Sequence, residues 1–315
     1  MNPQNSATFD LRFITDPEDV LEEIRTIVSR MGGPFEVDLF EGMYRETVRL
    51  FRGECPGYRA CNTKYHNLEH TVSVVLATAR LMHGCSLHAQ MFQPRNVLLS
   101  LVAALLHDVG LIQSEDDTEG TGAKYTVGHE ERSVVFLERH LPERGFSYLE
   151  IADCASFIRC TILSLPPSAI SFSSPECEVI GKIVGTADLL AQMADRCYLE
   201  KLLLLFREFE EACLPGFDSE LTLLKKTIDF YRNVTRTRLN KQLGGVHAHM
   251  AAHFRNRWGV DRDLYAESIS KNMDYLKSLT IHCEESITCY LKNLRRGGIA
   301  REFLDSACNG ENERA

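Results

Sequence analysis

Positive charge is scarce in this chain: 35 lysines and arginines face 44 aspartates and glutamates in 315 residues, a formal net charge of −9 at pH 7. A surface that must displace counterions from a phosphate backbone is basic, so no nucleic-acid partner and no polymeric substrate is expected. Long apolar runs are missing too. The longest, residues 97–112, contains Ser100, His107 and Asp108 and falls short of the roughly 20 apolar residues that cross a bilayer, so no membrane partner is expected. The opening MNPQNSATFDLRF has neither the basic nor the apolar region of a secretory signal, and the expected location is cytoplasmic. The 11 cysteines are odd in number and include no C-x-x-C. They read as small buried hydrophobes in a reducing compartment, not as a disulfide or cysteine–metal framework. Repeats, low-complexity tracts and sustained two-residue alternation are also lacking, and the last of these excludes an extended sheet.

What is present is helical. Nearly every periodic segment has helical spacing, and MGG, LGG and RGG act as stops, so the fold class is all-α. In the first helix Asp16 is the predicted cap, Pro17 the first helical residue, Glu18 and Asp19 favour the positive end, and Gly32-Gly33 ends it. The length allows one large or two ordinary domains. The reading is one core, residues 60–213, with an N-terminal helical extension at 1–59 and a C-terminal helical extension with a polar tail at 214–315. The long helices of 218–296 could pack over the site or form a homodimer surface. Residues 114–126, SEDDTEGTGAKYT, are acidic and glycine-rich, which reads as a mobile connector and a candidate lid.

Chemistry enters with His107 and Asp108, which interrupt the apolar run NVLLSLVAALLHDVGLI. An unpaired buried carboxylate costs several kcal/mol or more, so such a residue is supplied with a cation or strong donors. On a helix the two side chains project roughly 100° apart, an arc that one ion can straddle. Upstream, KYHNLEHTVSVVLATARL places His66 and His70 at i, i+4, one side of a helix. Downstream, Asp188 shares a helical face with Ile180, Val184, Ala187 and Ala191 and so points into the core. No lysine or arginine interrupts either apolar face, and a divalent metal satisfies two acids and several histidines at once. The histidines of GGVHAHMAAHFRNRW, His247, His249 and His253, lack a nearby acid at matching spacing and read as surface or core residues.

The order His70, then His107-Asp108, then Asp188 resembles the HD-domain superfamily of metal-dependent phosphohydrolases. YHNLEH resembles the Tyr-His-Asn-x-x-His signature of class I cyclic nucleotide phosphodiesterases. The resemblance implies an HD-domain or phosphodiesterase-like helical bundle around a metal site. His70, His107, Asp108 and Asp188 would hold one divalent ion (Mg, Mn, Fe, Co, Ni or Zn). His66 would be the catalytic acid, and Asp108 would also bridge to a second, weakly held ion. His129, in YTVGHEERS, is the candidate second-metal or substrate-binding residue. The chain departs from the phosphodiesterase pattern after His-Asp, where it reads HDVGLIQSEDD, and in having no glutamine followed three residues on by phenylalanine near its C-terminus. It reads FIRCTIL where a fully protein-ligated second site would have a further histidine.

The expected activity is hydrolysis of a small phosphate ester by a metal-activated water, with a slight lean to a phosphodiester such as a cyclic nucleotide. Alternatives are a phosphomonoesterase acting on nucleotides, a di-iron oxygenase of the HD type, and a non-catalytic HD sensor or interaction module.

Overall fold

The computed structural model describes residues 14–88 and 91–304. The sequence readings of MNPQNSATFDLRF and of the polar tail at 305–315 fall outside those residues. Every regular element described is helical, and one isolated antiparallel bridge joins Tyr58 to Ser114. The helices are α1 (Pro17–Met31), α2 (Val37–Phe51), α3 (Leu68–Ser86), α4 (Pro94–Leu106), α5 (His129–His140), α6 (Tyr148–Arg159), α7 (Pro175–Ala194), α8 (Tyr198–Glu211), α9 (Glu220–Asp229), α10 (Met250–Trp258), α11 (Leu264–Cys283) and α12 (Ile287–Asn293).

Their starts follow from short-range chemistry. Asp16 accepts from the backbone N–H groups of Glu18 and Asp19 at 2.9 and 3.3 Å, with Pro17 at the first helical position. Asn67 caps α3 through the N–H of His70, Ser147 and Glu150 form a capping box on α6, and Ser174 followed by Pro175 opens α7. Two of the three glycine stops hold, with Gly32 at the end of α1 and Gly244 and Gly245 just past the stretch that ends at Gln242, all with positive φ, whereas α12 ends at Asn293, before Arg296-Gly297-Gly298.

The centre of the bundle is the pair α3 and α7, which pack most extensively on each other. Both are buried nearly all round, from Thr71 to Cys85 on α3 and from Ile180 to Ala194 on α7 with few breaks. Around them, α1, α4 and α10 cover α3, α6 and α11 cover α7, and α5 lies on α6. The approach of α6 to α7 is close enough to require Gly185, where an added Cβ would meet the Cys160 carbonyl oxygen at 2.3 Å. Burying each Val, Leu or Ile of this core contributes about 1.5–3 kcal/mol.

One buried cation locks the exit of α6. Arg238, 2% exposed, lies in the π-helical stretch Arg238–Gln242 and donates to the carbonyls of Cys160, Ile162 and Leu165 at 2.7–2.9 Å. It therefore serves the acceptors that α6 leaves open just past its last turn. Arg238→Ala should cost about 3–5 kcal/mol, because it removes charge-assisted bonds to three carbonyls, that of Cys160 fully buried, and opens a cavity. A urea midpoint shifted by less than a quarter of that would show that these contacts are dispensable.

The cysteines need one correction. Cys85, Cys154, Cys160 and Cys177 are buried free thiols, as expected. Cys283 and Cys289 are instead bonded to each other, because the turn between α11 and α12 brings their Cα atoms to 5.4 Å, within disulfide reach.

Candidate metal centre

The site forms where the N-terminal end of α3, the C-terminal end of α4 and the second half of α7 converge. His70 occupies the first turn of α3, and Asp188 lies on α7 with Ile180, Val184, Ala187 and Ala191 all buried beside it. His107 and Asp108 are not on a helix together, contrary to the sequence reading. α4 ends at Leu106, His107 is its cap, and Asp108 leaves the helical region at φ −107, ψ 2 to start a 3-10 turn over Val109–Leu111. The His107 ring closes back on its own helix, with Nδ1 2.8 Å from the Ala104 carbonyl. That bond puts the ring proton on Nδ1 and leaves the Nε2 lone pair facing inward.

Nε2 of His70 is 3.3 Å from Oδ2 of Asp108 and 3.3 Å from Oδ1 of Asp188. Nε2 of His107 is 3.2 Å from Asp108 Oδ2, 3.9 Å from Asp188 Oδ1 and 3.3 Å from His70 Nε2. All four residues are less than one-tenth exposed. Despite these separations, Asp108 Oδ2 is buried with no hydrogen-bond partner. A carboxylate oxygen left orphaned among two imidazole nitrogens and a second carboxylate converges with them on a common space. That arrangement fits a divalent cation, whose nitrogen and oxygen donors these are, and the donor atoms of His70, His107 and Asp108 lie within 4.8 Å of one another.

The electrostatics point the same way. Burial works against the imidazolium of His70, yet the carboxylates of Asp108 and Asp188 outweigh it and lift the group to about 10. Burial likewise works against the Asp108 carboxylate, but His107, His129 and His70 hold it well below the usual range. Two buried acids demand positive charge, and an ion binding there displaces protons from the imidazoles.

His129, the first residue of α5, faces the other oxygen: its Nε2 is 3.2 Å from Asp108 Oδ1, while its Nδ1 is fixed by the Thr126 carbonyl at 2.8 Å. Asp108 thus has one oxygen in each of two neighbourhoods. The end of α5 is held there by Gly110, where a Cβ would meet the His129 carbonyl oxygen at 2.0 Å and the Ser133 nitrogen at 2.8 Å. The Ser133 hydroxyl, in turn, donates to the His107 carbonyl at 2.6 Å and accepts from the Gly110 N–H at 2.9 Å. Gly110→Ala is expected to push α5 off this turn, destabilising the fold by about 1–3 kcal/mol and moving His129 away from Asp108. A variant with wild-type stability and wild-type metal stoichiometry would contradict this role.

His66 also departs from its expected setting. α3 begins at Leu68, so His66 precedes the helix, in the turn that Asn67 caps. Its ring still comes beside the site, 5.7 Å from that of His70 and 5.8 Å from that of His129 between centroids. Glu208 on α8 fixes it there: one carboxylate oxygen lies 2.6 Å from His66 Nδ1 and the other accepts from the Tyr65 N–H at 2.6 Å. Gln192 completes the frame, donating to Asp188 Oδ1 at 2.7 Å and accepting from the Tyr65 hydroxyl at 3.1 Å. Neither Glu208 nor Gln192 was singled out from the sequence. Gln192 stands one helical turn after Asp188, a signal that periodicity offers, whereas Glu208 in LFREFEE is indistinguishable from acids on a solvated face.

Residues 114–126 are not the free connector that their composition suggested. Asp117 takes the Lys124 ammonium at 2.5 Å and the Tyr125 hydroxyl at 2.5 Å, the Glu211 carboxylate accepts from both the N–H and hydroxyl of Thr121, and Gly122–Tyr125 forms a helical turn. Asp117 is thus paired within the segment, Glu115, Asp116 and Glu119 stay exposed, and Thr121 ties the segment to α8.

Residues 67–162 match the family model described as HD domain, a span that contains His70, His107, Asp108 and His129 and leaves His66 and Asp188 outside. No curated protein and no solved structure matches the chain.

Proposed function

Starting from an HD domain at residues 67–162, a family typical of metal-dependent phosphohydrolases, we propose that this protein hydrolyses a small phosphate ester at the cluster of His70, His107, Asp108 and Asp188. The observation that carries the reading is the orphaned Asp108 oxygen among inward-facing donors. A divalent ion held there supplies a nucleophile from water near neutral pH and withdraws charge from the phosphoryl group. The residues do the rest. Ala104 and Thr126 carbonyls fix the tautomers of His107 and His129, so that both present Nε2 to the reaction space. Asp108, with its other oxygen beside His129, would be the residue that helps hold a second ion.

His66 acts as the general acid. Glu208 receives its Nδ1–H, which orients the ring, and Nε2 is left to protonate the departing alkoxide. A placed acid serves a poor alkoxide leaving group, and together with the likeness of YHNLEH to the phosphodiesterase signature it leans the reading to a diester such as a cyclic nucleotide. The net charge of −9 argues for a small substrate. The test is a panel of cyclic nucleotides and nucleoside monophosphates, each with Mg, Mn, Fe, Co, Ni and Zn. Cleavage of a diester with at least one ion is the expected result. Phosphate release from monophosphates alone would overturn the diester preference, and no turnover by metal-loaded protein would overturn the hydrolase reading.

A further inference from the structure

A second group of metal-ligating side chains meets where α11 ends and α12 begins, apart from the centre described above. The donor atoms of His282, Cys283 and Cys289 lie within 4.8 Å of one another, with Cys283 buried, Cys289 half-buried and His282 at the surface. The cluster is therefore anchored on one side and open to solvent on the other. Two further observations set it apart from a simple staple. The side-chain amide of Asn293, held by the Cys289 carbonyl at 2.9 Å, also reaches both sulphurs, at 3.9 Å to Cys283 and 3.7 Å to Cys289. An N–H donor shared by two sulphurs stabilises thiolates, as groups surrounding a metal's ligands do. The residue after Cys283, Glu284, has a φ of 47°, a conformation that non-glycine residues rarely adopt and that persists only where its surroundings impose it.

We propose that His282, Cys283 and Cys289 form a second metal site, selective for a soft d10 ion such as zinc. The thiolates of Cys283 and Cys289 and the imidazole of His282 are the donors, and one position stays open to water. The disulfide is the oxidised, metal-free form of this site. Reduction by a phosphine yields two thiols and the phosphine oxide, its oxygen and the two protons coming from water, and binding of the ion then releases the thiol protons. The HD centre offers only nitrogen and oxygen, so the two sites prefer different ions.

The test titrates metal-free, phosphine-reduced, full-length protein with cobalt(II), because sulphur ligation produces a thiolate-to-cobalt charge-transfer band that the His/Asp centre cannot give. One equivalent should develop the band. The band should disappear in Cys283→Ser, Cys289→Ser and the unreduced protein, and the surface change His282→Ala, which leaves the core intact, should weaken binding. Asn293→Ala should weaken cobalt binding about 10–100-fold, the usual cost of losing a partner of a ligand. No thiolate band in the reduced protein, a band that survives in the double serine variant, or unchanged affinity in His282→Ala would each overturn the proposal. None of these outcomes touches the HD centre, whose cobalt gives no such band.

Discussion

Asp108→Ala is expected to remove bound metal and turnover together. Its two oxygens reach His70 and His107 on one side and His129 on the other, so no single residue is more central to the site. The ion's stabilisation of the transition state is worth several kcal/mol, which corresponds to a fall of about 10³–10⁴ in rate. Metal content by atomic absorption should drop in parallel, as it should for His70→Ala, His107→Ala and Asp188→Ala. Stability should also respond to chelator. A ligand present at a hundredfold excess over its dissociation constant stabilises the fold by about 2.7 kcal/mol, so chelation should lower the melting temperature of the wild type and leave Asp108→Ala unmoved. A variant with full metal content and wild-type turnover would mean that the cluster is a buried hydrogen-bonded core and not the reaction centre.

His66→Ala separates chemistry from metal binding. His66 contacts Glu208 and stands beside the ligand rings, so the variant should keep its metal while turnover falls about 10²–10⁴-fold, the usual cost of a lost general acid. The deficit should shrink on an activated aryl phosphate, whose leaving group needs little protonation, and remain large on an alkyl ester. Glu208→Gln should move in the same direction by less, since the amide can keep one of the two contacts that hold the ring and the Tyr65 backbone. Equal losses on both ester types would leave His66 as an orienting residue and remove the main reason for preferring a diester.

The sequence carried the helices well because their ends are written in local chemistry: Asp16 with Pro17, Ser174 with Pro175, and the paired glycines all act within a few residues. The four proposed ligands were legible for a related reason. A charged residue inside an apolar face is a local anomaly, whichever helix it sits on. What remained hidden depends on chain crossings. Glu208 gains its role only because α8 passes the turn before α3, and the segment 114–126 is tied down by Asp117 meeting Lys124 and Tyr125 and by Thr121 reaching Glu211 on α8. Periodicity misplaced His66 and His107-Asp108 because it extends a helix through its own end. At both positions the chain leaves the helix, yet the side chains still reach the expected place.

The frame made by Glu208, Tyr65, Gln192 and Asp188 ties the setting of the proposed acid, His66, to that of the proposed ligand Asp188. Glu208 fixes both the backbone of Tyr65 and the ring of His66, while the Tyr65 hydroxyl meets Gln192, which holds the Asp188 oxygen. A shift of α8 is therefore felt at an oxygen on α7 through three direct contacts. Energetically, the acid and the metal carboxylate are not independent parts, and the effects of changing residues at the two ends of this chain do not sum. The geometry of the cluster is then a property of one connected chain, so that loosening any member degrades the whole by more than its own contact.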